Sequence, residues 1–363
     1  MFKLLGLLLT LASFPVLFLN EGRAVRTAKS LEEGAAVVVH IEAAPVNPVN
    51  DGKLVHFTGQ AVTTAAVRDP IFGIEARALQ LSRKVEMYQW KRTTRGRGDS
   101  QSNAPGDYER VWSEQLLTVT DSRNPGGHEN PPALPYKAET ISARDAQVGD
   151  FQVPRRVIAS LDGSFVPLSL DEKMVAAVPN PSGSQAGQPR LERGSLYFGG
   201  NPAEHQVGDV RIHFATKGLS EISVIGRQHG QTIEPFPTRA GRPVEMARVG
   251  SIDAQDMFDG ALTTNTVLTW VLRVTGYLLM SLGIFMVVKV RGLLRFIPLF
   301  GSAFNAGAAL LAFVFASAAS LAIIALAWIA YRPALSLTLL ILSGAFAAVL
   351  VLRGRREPRN VAV

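Results

Sequence analysis

Apolar residues are massed at the two ends of this chain and dispersed between them. Residues 4–19 carry only Thr10 and Ser13 as polar interruptions, and three more apolar runs follow near the C-terminus, at 267–288, 303–330 and 334–352. A helix of roughly 20 apolar residues crosses a hydrocarbon core of about 30 Å. The first run is short for that task. The stretch Phe18-Leu19-Asn20-Glu21-Gly22-Arg23 lacks the small residues that signal-peptide cleavage needs, so the run is read as an uncleaved anchor. The pattern predicts an α+β membrane protein: four transmembrane helices, one N-terminal and three C-terminal, flanking a large β-rich domain. The expected divisions are an anchor at 1–20, the β-rich domain at 21–262, a three-helix region at 263–352 and a basic tail at 353–363.

Between the ends the period changes to two. In residues 79–90, Leu79, Leu81, Val85 and Met87 share one face with Arg83, and Gln80, Lys84, Glu86, Tyr88 and Trp90 share the other. That alternation predicts a half-buried strand. The chain returns through 108–112, predicting a long-looped hairpin with Trp90 facing Trp112. Residues 35–41 and 54–59 read as strands, and 137–146 as a weak helix. Gln147-Val148-Gly149-Asp150 recurs as Gln206-Val207-Gly208-Asp209, which predicts the same turn leading into two strands. Two small subdomains would fit this pattern.

Composition narrows the chemistry. With no cysteine, disulfides, thiolate zinc sites, iron–sulfur clusters and a cysteine nucleophile are excluded. The net charge of +7 is concentrated partly beside the apolar runs. It is read as topology and attraction to anionic membrane lipid, not as nucleic-acid binding, for which no motif is present. Lys289, Arg291 and Arg295 occupy the loop at 289–302, and Arg353, Arg355, Arg356 and Arg359 the tail, against Arg332 alone in the turn between the last two runs. Basic loops stay in the cytoplasm. Both termini are therefore expected there, with the β-rich domain on the far side. Arg273, inside the second run, is expected to snorkel to the interface. Eleven of the residues 303–320 are Ala, Gly or Ser, so this helix is expected to pack closely in a bundle.

Six histidines are scattered through the chain. No helical metal spacing, nucleophile elbow, phosphate loop or dinucleotide fingerprint accompanies them. His40 and His56 read as structural. An enzymatic reading requires a cleft where His56 or His128 meets a carboxylate or a serine. No catalytic residue, cofactor or metal is assigned.

Several short motifs are more specific. Asn20-Glu21-Gly22-Arg23-Ala24, Glu86-Met87-Tyr88-Gln89-Trp90, Gly127-His128-Glu129-Asn130-Pro131 and Val207-Gly208-Asp209-Val210, in this order, resemble the transmembrane protein 43 (LUMA) family. The resemblance runs the length of the chain. Glu21, Gly22, Arg23, Glu86, Tyr88, Trp90, His128, Asn130, Pro131, Gly208 and Asp209 are its motif residues. It implies four spans, a large non-cytoplasmic domain, self-association and the organising of membrane protein complexes, with no established enzymatic activity. Animal members reside in the endoplasmic reticulum and inner nuclear membrane and bind lamins and emerin. The short N-terminus and Arg/Ala-rich composition here suggest a bacterial member, with the domain periplasmic and the protein in the inner membrane. The nuclear partners do not then transfer. Self-association is expected on the small-residue face of the second C-terminal run, at Ala303, Ala306, Gly307, Ala316 and Ser320. The remaining readings are an enzyme or enzyme subunit, and an oligomeric channel component.

Overall fold

The computed structural model describes residues 2–93, 107–118, 127–179, 188–288, 303–334 and 336–338. In chain order its elements are α1 (Phe2–Val37), β1 (Val39–His40), β2 (Leu54–Val62), β3 (Val67–Arg68), β4 (Glu75–Ala76), β5 (Gln80–Thr93), β6 (Asp107–Ser113), β7 (Glu139–Ser142), β8 (Gln147–Val148), β9 (Phe151–Gln152), α2 (Arg155–Ala159), β10 (Val166–Leu168), α3 (Glu172–Ala176), β11 (Arg190–Glu192), β12 (Ser195–Phe198), β13 (Val210–Lys217), β14 (Glu221–His229), β15 (Thr232–Glu234), β16 (Met246–Val249), α4 (Ala254–Val288) and α5 (Ala303–Tyr331). They fall into two compact units. A helical unit holds α1, Pro237–Val244 and the chain from Gln255 onward; a sheet unit holds Val38–Phe236 and Glu245–Ala254.

In the helical unit, α1, α4 and α5 are each long and apolar enough to cross a membrane. Two boundaries differ from the expected ones. α1 does not stop near residue 20 but runs to Val37, so the run expected as a strand at 35–41 yields only Val39–His40. The cause is composition: residues 21–37 are rich in Ala, Glu, Arg, Lys and Leu, all strong helix formers, and no proline interrupts them. α4 likewise begins at Ala254, nine residues before the expected edge at 263. Helical hydrogen bonding resumes after the Arg332-Pro333 turn, where Ser336 N–H donates to Arg332 C=O at 3.0 Å. Most of the expected span at 334–352, the basic loop at 289–302 and the tail lie outside the described residues.

The sheet unit contains two seven-stranded sheets and the small pair β3–β4. In one, β2 pairs with β14 along one edge and with β1 and β8 along the other, and the path β8–β9–β15–β14 returns to β2. The other is built on β5. One edge of β5 pairs with β13, the other with β6 and β7, and β12, β11 and β10 complete the sheet around β13. The strand predicted at 79–90 is thus real and longer. The helix expected at 137–146 is instead β7, because Glu139–Ser142 is captured by the edge of β5. Tertiary pairing overrides a weak local preference.

One continuous cluster of buried side chains draws on both sheets, among them Val55, Phe57 and Val224 from the first and Leu81, Val85 and Phe214 from the second. Phe57 and Phe151 stack with ring centroids 4.4 Å apart. Both are fully buried, so truncating either to alanine costs about 3–5 kcal/mol. Arg83, on the apolar face of β5, is accommodated by charge: it ion-pairs with the fully buried Asp69 and, at 3.0 Å, with Glu139. The repeated Gln-Val-Gly-Asp segments both form turns into strands, with Gly149 at φ 57° and Gly208 at φ 102°. One leads into β9, the other into β13.

Candidate functional site

The motif residues assemble in two places. The first is inside the helical unit. Asn20, Arg23 and Ala24 lie at helical spacing on the face of α1 that meets α4. The Asn20 side-chain amide donates to Thr269 C=O at 3.0 Å. Arg23 donates to Asn265 Oδ1 at 2.8 Å and to Thr269 Oγ1 at 3.0 Å, and Asn265 donates back to Ala24 C=O at 3.0 Å. Glu21 is fully buried between three helices: Arg273 of α4 donates to its two oxygens at 2.6 and 2.9 Å, and Trp328 Nε1 of α5 donates at 2.9 Å. The Arg273 guanidinium also lies over the Trp270 ring, 4.9 Å from its centroid. Gly22 leaves room for Tyr331 of α5; a Cβ there would stand 2.5 Å from the Tyr331 ring. Every residue of Asn20-Glu21-Gly22-Arg23-Ala24 is therefore used in joining α1 to α4 and α5.

Arg273 does not simply reach toward an interface, as its position near a helix end suggested; it is clamped to Glu21. A buried acid and a largely buried base on facing helices are costly apart and compensate when paired. Close backbone packing also occurs at a place the small-residue count did not indicate. A Cβ on Gly283 of α4 would stand 2.7 Å from Gly6 C=O of α1, so these two glycines let the helices touch. Ala316 and Ser320 are buried within the chain, beside Leu17 and Met280, and Ser320 Oγ lies 3.4 Å from Met280 Sδ. Ala303, Ala306 and Gly307 lie on α5, but their side chains are outside the described set.

The second place is the outer face of β5 and β6. The register sets Tyr88 opposite Trp112 and Trp90 opposite Arg110, so the two tryptophans are offset by one pair rather than facing each other. Tyr88 and Trp112 ring centroids are 5.2 Å apart. Arg110 lies over Trp90 at 5.4 Å and Arg211 over Trp112 at 4.4 Å. His128 meets Trp90 edge-on at 4.5 Å and stacks on Tyr108 at 4.3 Å, while His205 meets Trp112 at 5.1 Å. The four aromatic side chains are half-buried, forming a continuous aromatic and cationic surface.

The other motif residues hold this surface in place. The Asn130 side chain accepts from Trp90 N–H at 2.7 Å and donates to Trp90 C=O at 2.8 Å, acting as a one-residue strand partner beside β5. It also donates to Leu117 C=O at 2.9 Å. Gly208 N–H donates to Tyr88 C=O at 2.9 Å, and Tyr88 N–H to Asp209 C=O at 2.8 Å. Pro131 lies 3.5 Å from where a Gly208 Cβ would stand. The Asp209 carboxylate accepts from Tyr197 Oη at 2.5 Å and from Gln206 N–H at 2.7 Å. Burial, reinforced by that carboxylate, raises the Tyr197 phenol above its usual range.

The histidines enter two further constellations. His56 Nε2 lies 2.9 Å from Ile252 C=O, which can only accept, so that nitrogen carries a proton. His56 Nδ1, 2.8 Å from His40 Nδ1, then accepts from it in the neutral pair. Burial holds His56 below the usual imidazole range. The pair lines a cavity of about 470 Å³ with Glu42, Glu221, Ser251 and Asp253. On the β5 sheet, His213 Nδ1 lies 2.6 Å from Ser195 Oγ and its Nε2 3.2 Å from Glu86. Glu86 also accepts two bonds from Arg211, at 3.0 and 2.7 Å. Burial lowers the His213 value, against the opposing pull of Glu86, leaving a neutral imidazole that donates to Glu86 and accepts from Ser195. This serine–histidine–glutamate row, set by cross-strand register, was not foreseeable without knowing which strands pair. Among the described residues, no group of three or more His, Asp or Glu is placed to hold a metal ion.

A family model described as transmembrane protein 43 matches residues 87–333. The chain is 32% identical to human transmembrane protein 43 over 371 residues, covering 96% of this chain and 89% of that protein. It is 31% identical to the rat protein of that name, covering 90% and 84%, and 28% identical to the Drosophila melanogaster homologue, covering 93% and 91%. No solved structure matches. The family model lies over both the aromatic surface and the α4–α5 side of the clamp, and the relatives match across nearly the whole length: this chain belongs to the transmembrane protein 43 family.

Proposed function

We propose that this protein is a multi-pass membrane scaffold that self-associates and gathers other membrane proteins through its sheet unit. One observation carries the reading. Motif residues from three separate stretches are spent on holding a half-buried aromatic and arginine surface on β5–β6. Tyrosine, tryptophan and arginine dominate the energetics of protein interfaces. The clamp around Glu21 serves the same end by fixing the helices as a rigid platform. In this reading the chain spans the bacterial inner membrane four times. The bias of Lys and Arg toward 289–302 and the tail supports cytoplasmic termini and a periplasmic sheet unit. Ala316 and Ser320 are committed inside the chain, so a second copy meets another face of α5, where Phe313, Val314 and Leu321 are exposed. Crosslinking of native membranes with mass spectrometry tests the proposal. A reproducible partner crosslinked near β5–β6, and lost in the Trp112→Ala variant, is expected. A strict monomer in mild detergent and in bilayers, with no partner recovered, refutes it.

A second reading, a membrane enzyme or enzyme subunit, is favoured by the Ser195–His213–Glu86 row. A neutral imidazole accepting from a serine hydroxyl is the arrangement of an activated nucleophile. A fluorophosphonate probe distinguishes the two readings. Labelling at Ser195 that is abolished in His213→Gln supports the enzyme, and an unlabelled native protein removes it.

A further inference from the structure

A cavity of about 510 Å³ opens beside β5, β10, β12 and β13. That is within the range of about 300–1,000 Å³ usual for small-molecule sites. Its lining is mixed. Phe165, Pro167 and Leu168 are apolar, Lys84, Arg193 and Arg211 are cationic, and the Ser195–His213–Glu86 row forms part of the wall, with Glu86 already engaged by Lys84 and Arg211. Two of these cations are committed. Lys84 is paired with Glu86 and Glu114 at 3.2 and 2.9 Å, and Arg211 with Glu86 at 2.7 Å. Arg193 makes no hydrogen bond or ion pair with any other described residue, and it is exposed.

The backbone at Arg193 is unusual as well. Glu192 pairs with Ser195, so Arg193 and Gly194 form a two-residue hairpin turn, with φ of 47° and 79°. Such turns favour Asn or Asp followed by Gly. Gly194 has a steric reason, since a Cβ there would stand 2.6 Å from Ser169 Oγ. Arg193 has none. It is the one non-glycine residue with positive φ among the described residues. Backbone outliers of this kind cluster at ligand sites, and this one holds an uncommitted guanidinium at the cavity.

We propose that this cavity binds a fatty carboxylate, with its head group on Arg193 and its chain against Phe165 and Leu168. The inference is independent of the scaffold reading, because it concerns a ligand and not the β5–β6 aromatic surface. The test uses the full chain in nanodiscs, titrated calorimetrically with octanoate against protein-free nanodiscs. Octanol supplies the chain without the charge, and acetate the charge without the chain. Saturable one-to-one octanoate binding is expected, with neither control matching it. Arg193→Asn is expected to weaken octanoate binding by about tenfold or more, through loss of a charge-assisted bond. The same variant should melt at an equal or higher temperature, because Asn tolerates this turn position; this separates loss of the ligand contact from loss of fold. The proposal fails if octanoate does not saturate, if Arg193→Asn binds as tightly as the native chain, or if octanol or acetate binds as well as octanoate.

Discussion

Replacing Arg273 with Met leaves Glu21, which is fully buried, with Trp328 as its remaining described hydrogen-bond partner. Two limiting magnitudes compete. Polar contacts between membrane helices average about 0.6 kcal/mol in double-mutant cycles. Breaking a buried, hydrogen-bonded ion pair costs about 3–5 kcal/mol, because the surviving charge is stranded. The geometry decides between them: two bonds of 2.6 and 2.9 Å, an acid with no exposure and a base only 17% exposed in its side chain. The larger figure applies. Arg273→Met and Glu21→Leu are each expected to destabilise the helical unit by about 3 kcal/mol. The Glu21→Leu/Arg273→Met double variant should cost much less than their sum, giving a coupling of about 2–3 kcal/mol. Reversible unfolding in mixed micelles reads this out. Additive single effects, or a coupling below about 1 kcal/mol, would mean that the pair is an ordinary interhelical contact. The view of Asn20-Glu21-Gly22-Arg23-Ala24 as a clamp would then be wrong.

Gly283→Leu must push α4 from the backbone of α1 and is expected to cost about 1–3 kcal/mol; an unchanged melting temperature refutes the close contact. Asn130→Ala removes three hydrogen bonds, two to Trp90 of the aromatic surface and one to Leu117. Faster hydrogen exchange at the Trp90 amide and red-shifted tryptophan emission should follow, and a native exchange rate would contradict the role given to Asn130. Burial holds His56 and His213 below the ordinary imidazole value. As pH falls below about 6.5, the unfolded chain takes up protons that the folded imidazoles refuse, so stability falls, by at most about 1.4 kcal/mol per pH unit for His56. His213, more exposed and beside Glu86, contributes less. His40, Glu42, Glu221 and Asp253 line the His56 cavity, and Lys84, Glu86 and Arg211 surround His213. Carboxylates held low, such as Glu86, begin to lose their contribution only below about pH 4.5. Melting between pH 7.5 and 5.5 should drop in the native protein and drop less in His56→Gln/His213→Gln; parallel curves refute this.

The apolar runs and the alternation through β5 were legible because each is a local, periodic signal with a single physical cause. Glu86, Tyr88 and Trp90 could be put on one face from spacing alone. What they touch could not. Trp112 sits opposite Tyr88 because hairpin register depends on the turn, which the strand sequence does not encode. Glu139–Ser142 became a strand because the edge of β5 was there to pair with it, a condition set by residues more than fifty positions earlier. Arg273 was legible as an anomaly but not as half of an ion pair, because Glu21 lies 252 positions away. Ser195, His213 and Glu86 come from three strands and carry no joint signal at all. Short motifs proved more informative than periodicity for the sites, and the residues that carried the family resemblance are the ones that bind elements to each other.

Both large sheets join an early strand to a late one. Thr58 of β2 bonds to Ser223 of β14, 165 positions on, and Glu86 of β5 bonds to Arg211 of β13, 125 positions on. Neither sheet can close while its late strand is still unmade. At ribosomal rates of about 5–20 residues per second, β2 waits roughly 10–30 s for its partner. During synthesis β2 can pair with β1 and β8, and β5 with β6 and β7, but each keeps one edge open until β14 or β13 emerges, and that open apolar edge is what chaperones must shield. Stalled nascent chains ending before residue 209 should stay protease-sensitive throughout residues 54–200, whereas those extending past 250 gain protection in one step.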